Sequence, residues 1–204
     1  MSDQRIYLAS RSPRRSQLLK QIHVGFELLL LRESSQRALD VDESPLSEEA
    51  PIPYTARVAE LKAELGCRTI IMRSLPVMPV LAADTIVVLD GEMIGKPAHA
   101  EHARELLRRL SGKTHQVLTT VAVGHQNQVT TALSTSVVEF RELADEEIQR
   151  YVASGEPLDK AGAYAIQGRG AAFVRSMRGS CSGIMGLPLY ETAELLSRFG
   201  RSPI

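Results

Sequence analysis

The chain has no tryptophan, and aromatic residues make up only 4% of it. A platform that stacks successive bases of a single strand needs aromatic faces, so that class of nucleic-acid binder is disfavoured. Charge of one sign is not in excess either: 24 Lys and Arg stand against 24 Asp and Glu. No global positive field exists to collect a polyanion, so no nucleic-acid partner is expected and any anion site must be local. Cysteine is scarce. Cys67 and Cys181 form no Cys-x-x-Cys pair, which argues against a zinc site or a disulfide framework and suits a reducing cytoplasm. Long apolar runs are also missing. "FELLLL" and "VMPVLAA" are far too short to cross a bilayer, and the N-terminus carries no apolar leader core, so no membrane partner is expected.

What is present is an ordinary globular composition, 44% hydrophobic and 24% charged. The 204 residues are enough for one domain, of one or two lobes, that buries most of its apolar surface. "RIYLAS" reads as a short buried strand. Ser12 and Pro13 then supply an N-cap and a first helical residue, and Leu18, Leu19 and Ile22 a helical stripe. "GFELLLL" reads as a second strand, and the polar stretch from Arg32 to Pro53, with three prolines, as a long loop. "YTARVAELKAELG" returns to helical spacing, with Gly66 as its expected C-cap. "PVMPVLAADTIVVLDGEMIGKP" holds the clearest β signal, two apolar runs about an Asp90-Gly91 hairpin turn. A helix is expected over Ala100 to Leu110, then two strands turning near His125 to Gln128. A short helix with Asp145 as N-cap follows, then a Gly-rich segment ending in a strand, and a final amphipathic helix in "GLPLYETAELLSRFG". Alternating strands and helices with hairpins between them predict an α/β fold with a mixed sheet.

Several segments could carry chemistry. In "SRSPRR", Arg14 and Arg15 occupy the first turn of a helix, the end that repels cations. Either the pair is simply solvated, or an anion offsets the repulsion; unpaired N–H groups with the hydroxyls of Ser10 and Ser12 would suit a phosphate. Asp84 interrupts a strand pattern in "AADTIVVLDG", where propensity disfavours a carboxylate. It is an edge residue facing water, or a Mg²⁺ ligand or general base facing a cleft. Lys62, Lys96, Lys160 and Arg169 are each ordinary surface residues taken alone, but together they suit a triphosphate. "GKP" is not a phosphate-cradling P-loop, because the upstream glycine is missing. "DVDESP" sets three carboxylates in the long loop, either solvated or lending one to a divalent cation beside Asp84. Gln167, among closely spaced glycines, carries the donor and acceptor that fit the edge of a uracil or thymine ring. No nucleophilic triad or histidine metal cluster emerges from spacing.

Eight motifs in series resemble the Maf family of nucleotide pyrophosphatases: "LASRSPRR", "VDESP", "RVAELKA", "AADTIV", "GKP", "LSGKTHQV", "GEPLDKAGAYAIQGRGAAFV" and "GLPL". They cover nearly the whole chain. The resemblance implies a single domain over 1–204 with an elongated, two-lobed α/β fold like that of inosine triphosphate pyrophosphatases, and a central cleft. It implies hydrolysis of a nucleoside triphosphate to monophosphate and diphosphate with Mg²⁺ or Mn²⁺, and a homodimer. By position, Asp84 is the general base and a metal ligand. Glu43 is the second metal carboxylate, with Glu33 as rival because the stretch before it is longer than in the family. Ser10, Arg15, Lys62 and Lys96 bind phosphate, with Lys160 a further candidate. Arg14, Thr85 and Gln167 match the subgroup acting on dTTP and UTP. The alternatives are a 7-methyl-GTP pyrophosphatase, or a nucleotide-binding regulator of cell division with little catalysis.

Overall fold

The middle of the fold is one strand that is buried on both faces. In the computed structural model, which describes residues 5–31 and 41–201, Val80–Leu89 (β3) is interior except at the half-buried Thr85. That explains its near-continuous apolar sequence. Among the described residues the sheet has seven strands, in the order β2-β1-β3-β5-β6-β7 with β4 also on β3. The other strands are Ile6–Leu8 (β1), Phe26–Leu28 (β2), Glu92–Ile94 (β4), Thr114–His125 (β5), Gln128–Phe140 (β6) and Val174–Arg178 (β7). β1 runs parallel to β2 and β3, and every other pairing is antiparallel, so the sheet is mixed as expected. Asp90 and Gly91 both take positive φ, the geometry of a two-residue hairpin turn.

The helices are Pro13–Gln21 (α1), Pro51–Met72 (α2), Ala100–Leu110 (α3), Asp145–Ala153 (α4), Cys181–Ile184 (α5) and Leu189–Arg198 (α6). Pro13 opens α1 as predicted. Ser12 caps it by position but accepts no capping hydrogen bond, and the first turn holds no acid. Three expectations need correction. The long loop ends earlier than Pro53, because Pro51 and Pro53 lie in the first turn of α2, where a missing N–H is harmless; positions 32–40, with Glu33 and Asp40, lie outside the described residues. Gly66 does not end α2. It sits mid-helix against β3, where a Cβ would stand 2.5 Å from Val80 Cγ1, so the glycine serves close packing. Asp145 is the first residue of α4 and not its cap. The carboxylate of Glu147 accepts the N–H of Ala144 instead, is held by Arg141, and is pushed down to about 2 chiefly by that pairing. The Gly-rich segment ends in a strand at Val174 as expected, after two short 3₁₀ turns, Ala161–Ala163 and Arg169–Phe173.

β3 also divides the core. On one face, Leu81 and Ala83 join the cluster of Leu8, Leu19 and Val121, while Val87 and Leu89 join that of Leu107, Phe140 and Phe173. On the other face, Val80 and Ala82 pack on Ala59 and Ala63 of α2, while Ile86 and Val88 pack with Leu118. Asp84 and Thr85 fall between the clusters on either face, where no apolar packing claims them.

Candidate active site

The sheet has a gap at this point. β1 pairs with β3 only through Val80 and Leu81, and β4 takes over at Val87. Between them one edge of β3 has no strand beside it among the described residues. Asp84 and Thr85 point to opposite faces, yet both therefore reach the same cavity, of about 690 Å³. That size suits a small-molecule ligand. The β1–α1 junction with Arg14 and Arg15 forms one wall, Glu43, Tyr54 and Lys62 another. Lys96 and the segment from Asp159 to Ile166 close the far side.

Asp84 is only 7% exposed. Its Oδ1 accepts from Lys62 Nζ at 2.9 Å, and its buried Oδ2 has no hydrogen-bond partner. The same ammonium lies 2.9 Å from Glu43 Oε1. Two carboxylates from distant segments thus converge on one cation. An orphaned buried carboxylate oxygen is costly, and such groups mark functional sites. Tyr54 borders the pair, and its phenol is pushed up to about 12, first by burial and then by the charges of Asp84 and Glu43.

The basic helix start is also built in. Ser10 Oγ accepts from Ser12 N–H at 3.2 Å and from Arg15 Nη1 at 3.2 Å. Arg15 Nε donates to Gly186 O at 2.7 Å, and Nη2 to Thr85 Oγ1 at 3.3 Å. Gly186 holds φ at +107°, a conformation that excludes most side chains and lets its carbonyl face the guanidinium. Thr119 donates to Thr85 Oγ1 at 3.0 Å as well. Burial pulls the guanidinium of Arg15 down while Asp84 opposes it, and Arg14 is pulled down in the same way against Asp159, Tyr151 and Glu156. Lys160 pairs with Asp159 at the cavity edge.

Of the residues singled out in the sequence, Ser10, Arg14, Arg15, Glu43, Lys62, Asp84, Thr85, Lys96 and Lys160 all line the cavity. Gln167 does not. It is exposed, one residue beyond the lining Ile166. Tyr54, Thr119 and Gly186 were not singled out. Tyr54 had a signal, since it falls on the stripe of α2 that includes the buried Thr55, Val58, Ala59 and Ala63. Nothing local in the sequence marks Thr119.

Among the described residues no three His, Cys, Asp or Glu side chains gather to hold a metal. Two carboxylates already meeting on a cation, one with a free oxygen, instead fit a hard divalent ion shared with phosphate oxygens, the usual habit of Mg²⁺.

The family described as Maf-like protein matches residues 5–199. A protein of Nitrosomonas europaea named dTTP/UTP pyrophosphatase is 54% identical over 197 residues, 97% of this chain and 95% of that one. Proteins of the same name from Dechloromonas aromatica and Escherichia coli are 52% and 48% identical, covering 98% and 95% of this chain and 100% and 92% of theirs. Among solved structures, the Staphylococcus aureus Ham1 protein is 18% identical, with 69% of this chain and 72% of that chain covered at a TM-score of 0.46.

Proposed function

The chain belongs to the Maf family, and from that premise we propose that it is a nucleoside triphosphate pyrophosphatase that hydrolyses dTTP and UTP to the monophosphate and diphosphate. The observation that carries the chemistry is the meeting of Asp84 and Glu43 on Lys62, with Asp84 Oδ2 unpartnered, beside an arginine-bearing helix start. The relatives named dTTP/UTP pyrophosphatase, at about half identity over nearly the full length, support the choice of substrate.

In this reading the triphosphate lies along the wall formed by Ser10, Arg15, Lys62 and Lys96, with Lys160 near its edge. Asp84 Oδ2 takes a proton from water as the water oxygen bonds to the α-phosphorus and the bond to the bridging oxygen of the leaving diphosphate breaks. Lysines and arginine offset the charge that develops on the diphosphate. Asp84 and Glu43 would hold the divalent cation, Mg²⁺ or Mn²⁺, which supplies charge neutralisation and a more acidic water when bound. Lys62 would then share its two carboxylates with that ion and turn toward phosphate. Arg14, Thr85 and Gln167 are assigned to the choice of base. For Gln167 this requires its exposed side chain to meet the base at the cavity mouth.

We assign the core clusters along the first half of β3 and those along its second half, with Asp84 and Thr85 between them, to two lobes of one domain. A homodimer in the cytoplasm completes the proposal; no helix among the described residues is long and apolar enough to cross a membrane. The test is diphosphate release from dTTP, UTP, CTP, GTP and 7-methyl-GTP, with Mg²⁺ and with Mn²⁺. Preference for dTTP and UTP is expected. Preference for 7-methyl-GTP would replace the substrate, and binding without diphosphate release over hours would replace the enzyme with a regulator. Light scattering of the eluted protein checks the dimer.

A further inference from the structure

Glu43 sits on a stretch without regular structure, yet its carboxylate shares the ammonium of Lys62 with Asp84, from a strand at the centre of the sheet. Something must hold it there, because a free loop would spend most of its time elsewhere. The hydrogen bonds show how. Tyr54 Oη donates to the carbonyl of Glu43 at 2.8 Å. Arg57 Nη1 donates to the carbonyl of Asp42 at 3.4 Å, and Nη2 to that of Ser44 at 3.0 Å. Three consecutive carbonyls, with Glu43 in the middle, are thus gripped from one turn of α2.

The grip is itself braced. Arg57 Nε and Nη2 fork onto the two carboxylate oxygens of Glu49, each at 2.7 Å, and Glu49 Oε2 also accepts the N–H of Leu46 at 3.0 Å. The guanidinium lies 5.6 Å from the centre of the Tyr54 ring, which fixes both side chains against each other. Asp42 Oδ1 accepts from Ser44 N–H at 2.9 Å and stiffens the turn from within. Lys62, which receives the Glu43 carboxylate, stands farther along the same helix. One helix therefore holds both the backbone of Glu43 and the cation its carboxylate meets.

We propose that Tyr54 and Arg57 are positioning residues that place the Glu43 carboxylate beside Asp84 and so set the affinity of the site for its divalent cation. Neither needs to touch substrate. The inference rests on the reading of Glu43 as the second metal-holding carboxylate, and the experiment separates the two. Mn²⁺ binding is measured by electron paramagnetic resonance on the full chain with α,β-imido-dUTP, which is not cleaved, so no turnover enters the readout. Tyr54→Phe removes one hydroxyl and keeps the ring. It should weaken Mn²⁺ binding about threefold to tenfold, the effect of one hydrogen bond. Arg57→Lys, which keeps the charge and loses the fork, should act in the same direction. Thermal unfolding checks that each variant is folded.

Glu43→Gln is the reference. In that background Tyr54→Phe should have no further effect on Mn²⁺, since there is no carboxylate left to place. If Glu43→Gln weakens Mn²⁺ while Tyr54→Phe does not, or if the two effects simply add, the positioning role is overturned and the metal reading stands. If Glu43→Gln leaves Mn²⁺ binding unchanged, the metal reading of Glu43 is overturned and this inference with it.

Discussion

Asp84→Asn tests the core of the mechanism with the least disturbance to the fold. The amide matches the carboxylate in size and shape, so packing around β3 is preserved. What goes is one charge and the acceptor at Oδ2, the oxygen without a partner. Lys62 is not stranded by the change, because Glu43 Oε1 remains 2.9 Å away. The penalty of about 3–5 kcal/mol for leaving a buried charge alone therefore does not apply in full. The loss should fall on chemistry. Removing a general base lowers the rate by about 10² to 10⁴-fold, or roughly 2.7–5.4 kcal/mol of transition-state stabilisation. Two measurements suffice: diphosphate release from UTP under saturating conditions, and calorimetric titration with α,β-imido-dUTP. The expected result is a fall in kcat of at least about 10²-fold, with analogue affinity changed by about tenfold at most, roughly one hydrogen bond. A kcat within tenfold of the wild-type value would refute Asp84 as the base, and so would a loss traced wholly to failed binding.

Three further outcomes follow from the same geometry. Thr85→Val keeps the shape but removes the oxygen that Arg15 Nη2 and Thr119 meet. Thr119 still reaches Gly183 O at 2.8 Å, so the loss falls on Arg15, and kcat/KM for UTP should drop about threefold to tenfold; an unchanged value counts against Thr85 as an anchor. Gly66→Ala gains about 1 kcal/mol of helix propensity but drives a methyl to 2.5 Å from Val80 Cγ1, where overpacking costs about 1–3 kcal/mol. Urea unfolding should show net destabilisation, partly relieved when Val80→Ala is added, and a more stable single mutant would contradict the packing argument. His115 is pushed down to about 4 by burial. Between the unfolded value and about 4 the unfolded chain binds this proton and the folded one does not. Its contribution is thus complete above about pH 6.5 and is lost as pH falls toward 4, to a ceiling of roughly 3 kcal/mol. His115→Gln should flatten the fall in unfolding free energy between pH 6.5 and 4.5, and parallel curves for the two proteins would reject the assignment.

Local chemistry was legible wherever a residue type leaves few options. Pro13 could only open a helix, and Asp90-Gly91 could only turn a hairpin, and both do so. Asp84 stood out because a strand rarely accommodates a carboxylate, and it lines the cavity. The failures share a cause. Gly66 reads as a terminator from its neighbours, but the distance that decides it is to Val80, fourteen residues on and in another element. Asp145 is a good cap by type, yet the N–H groups of Glu147 and Ile148 that it would have needed already donate to the carbonyl of Ala144. The gap between β1 and β4 on the edge of β3, which creates the cavity, is a property of register and has no residue to mark it. Periodicity reports the face a residue shares with its near neighbours, and these features are set by partners far along the chain.

The paired arginines show how far side-chain accounting extends the sequence reading. Their charge at a helix start singles both out, and the family resemblance assigns Arg15 to phosphate and Arg14 to base. The structure separates them by what each has left to give. A guanidinium has five N–H donors. Arg15 uses three nitrogen atoms on Gly186, Ser10 and Thr85, which joins the hydroxyl assigned to phosphate and the hydroxyl assigned to base through one planar group. Displacing it would strand Gly186 O in a half-buried wall, so in the proposed complex its two remaining N–H groups are the ones left for phosphate. Arg14 has no such internal anchor among the described residues, and Asp159, Tyr151 and Glu156 oppose the effect of its burial. In the proposed reading, Arg14 is therefore the arginine left to meet the base, while Arg15 holds the wall together.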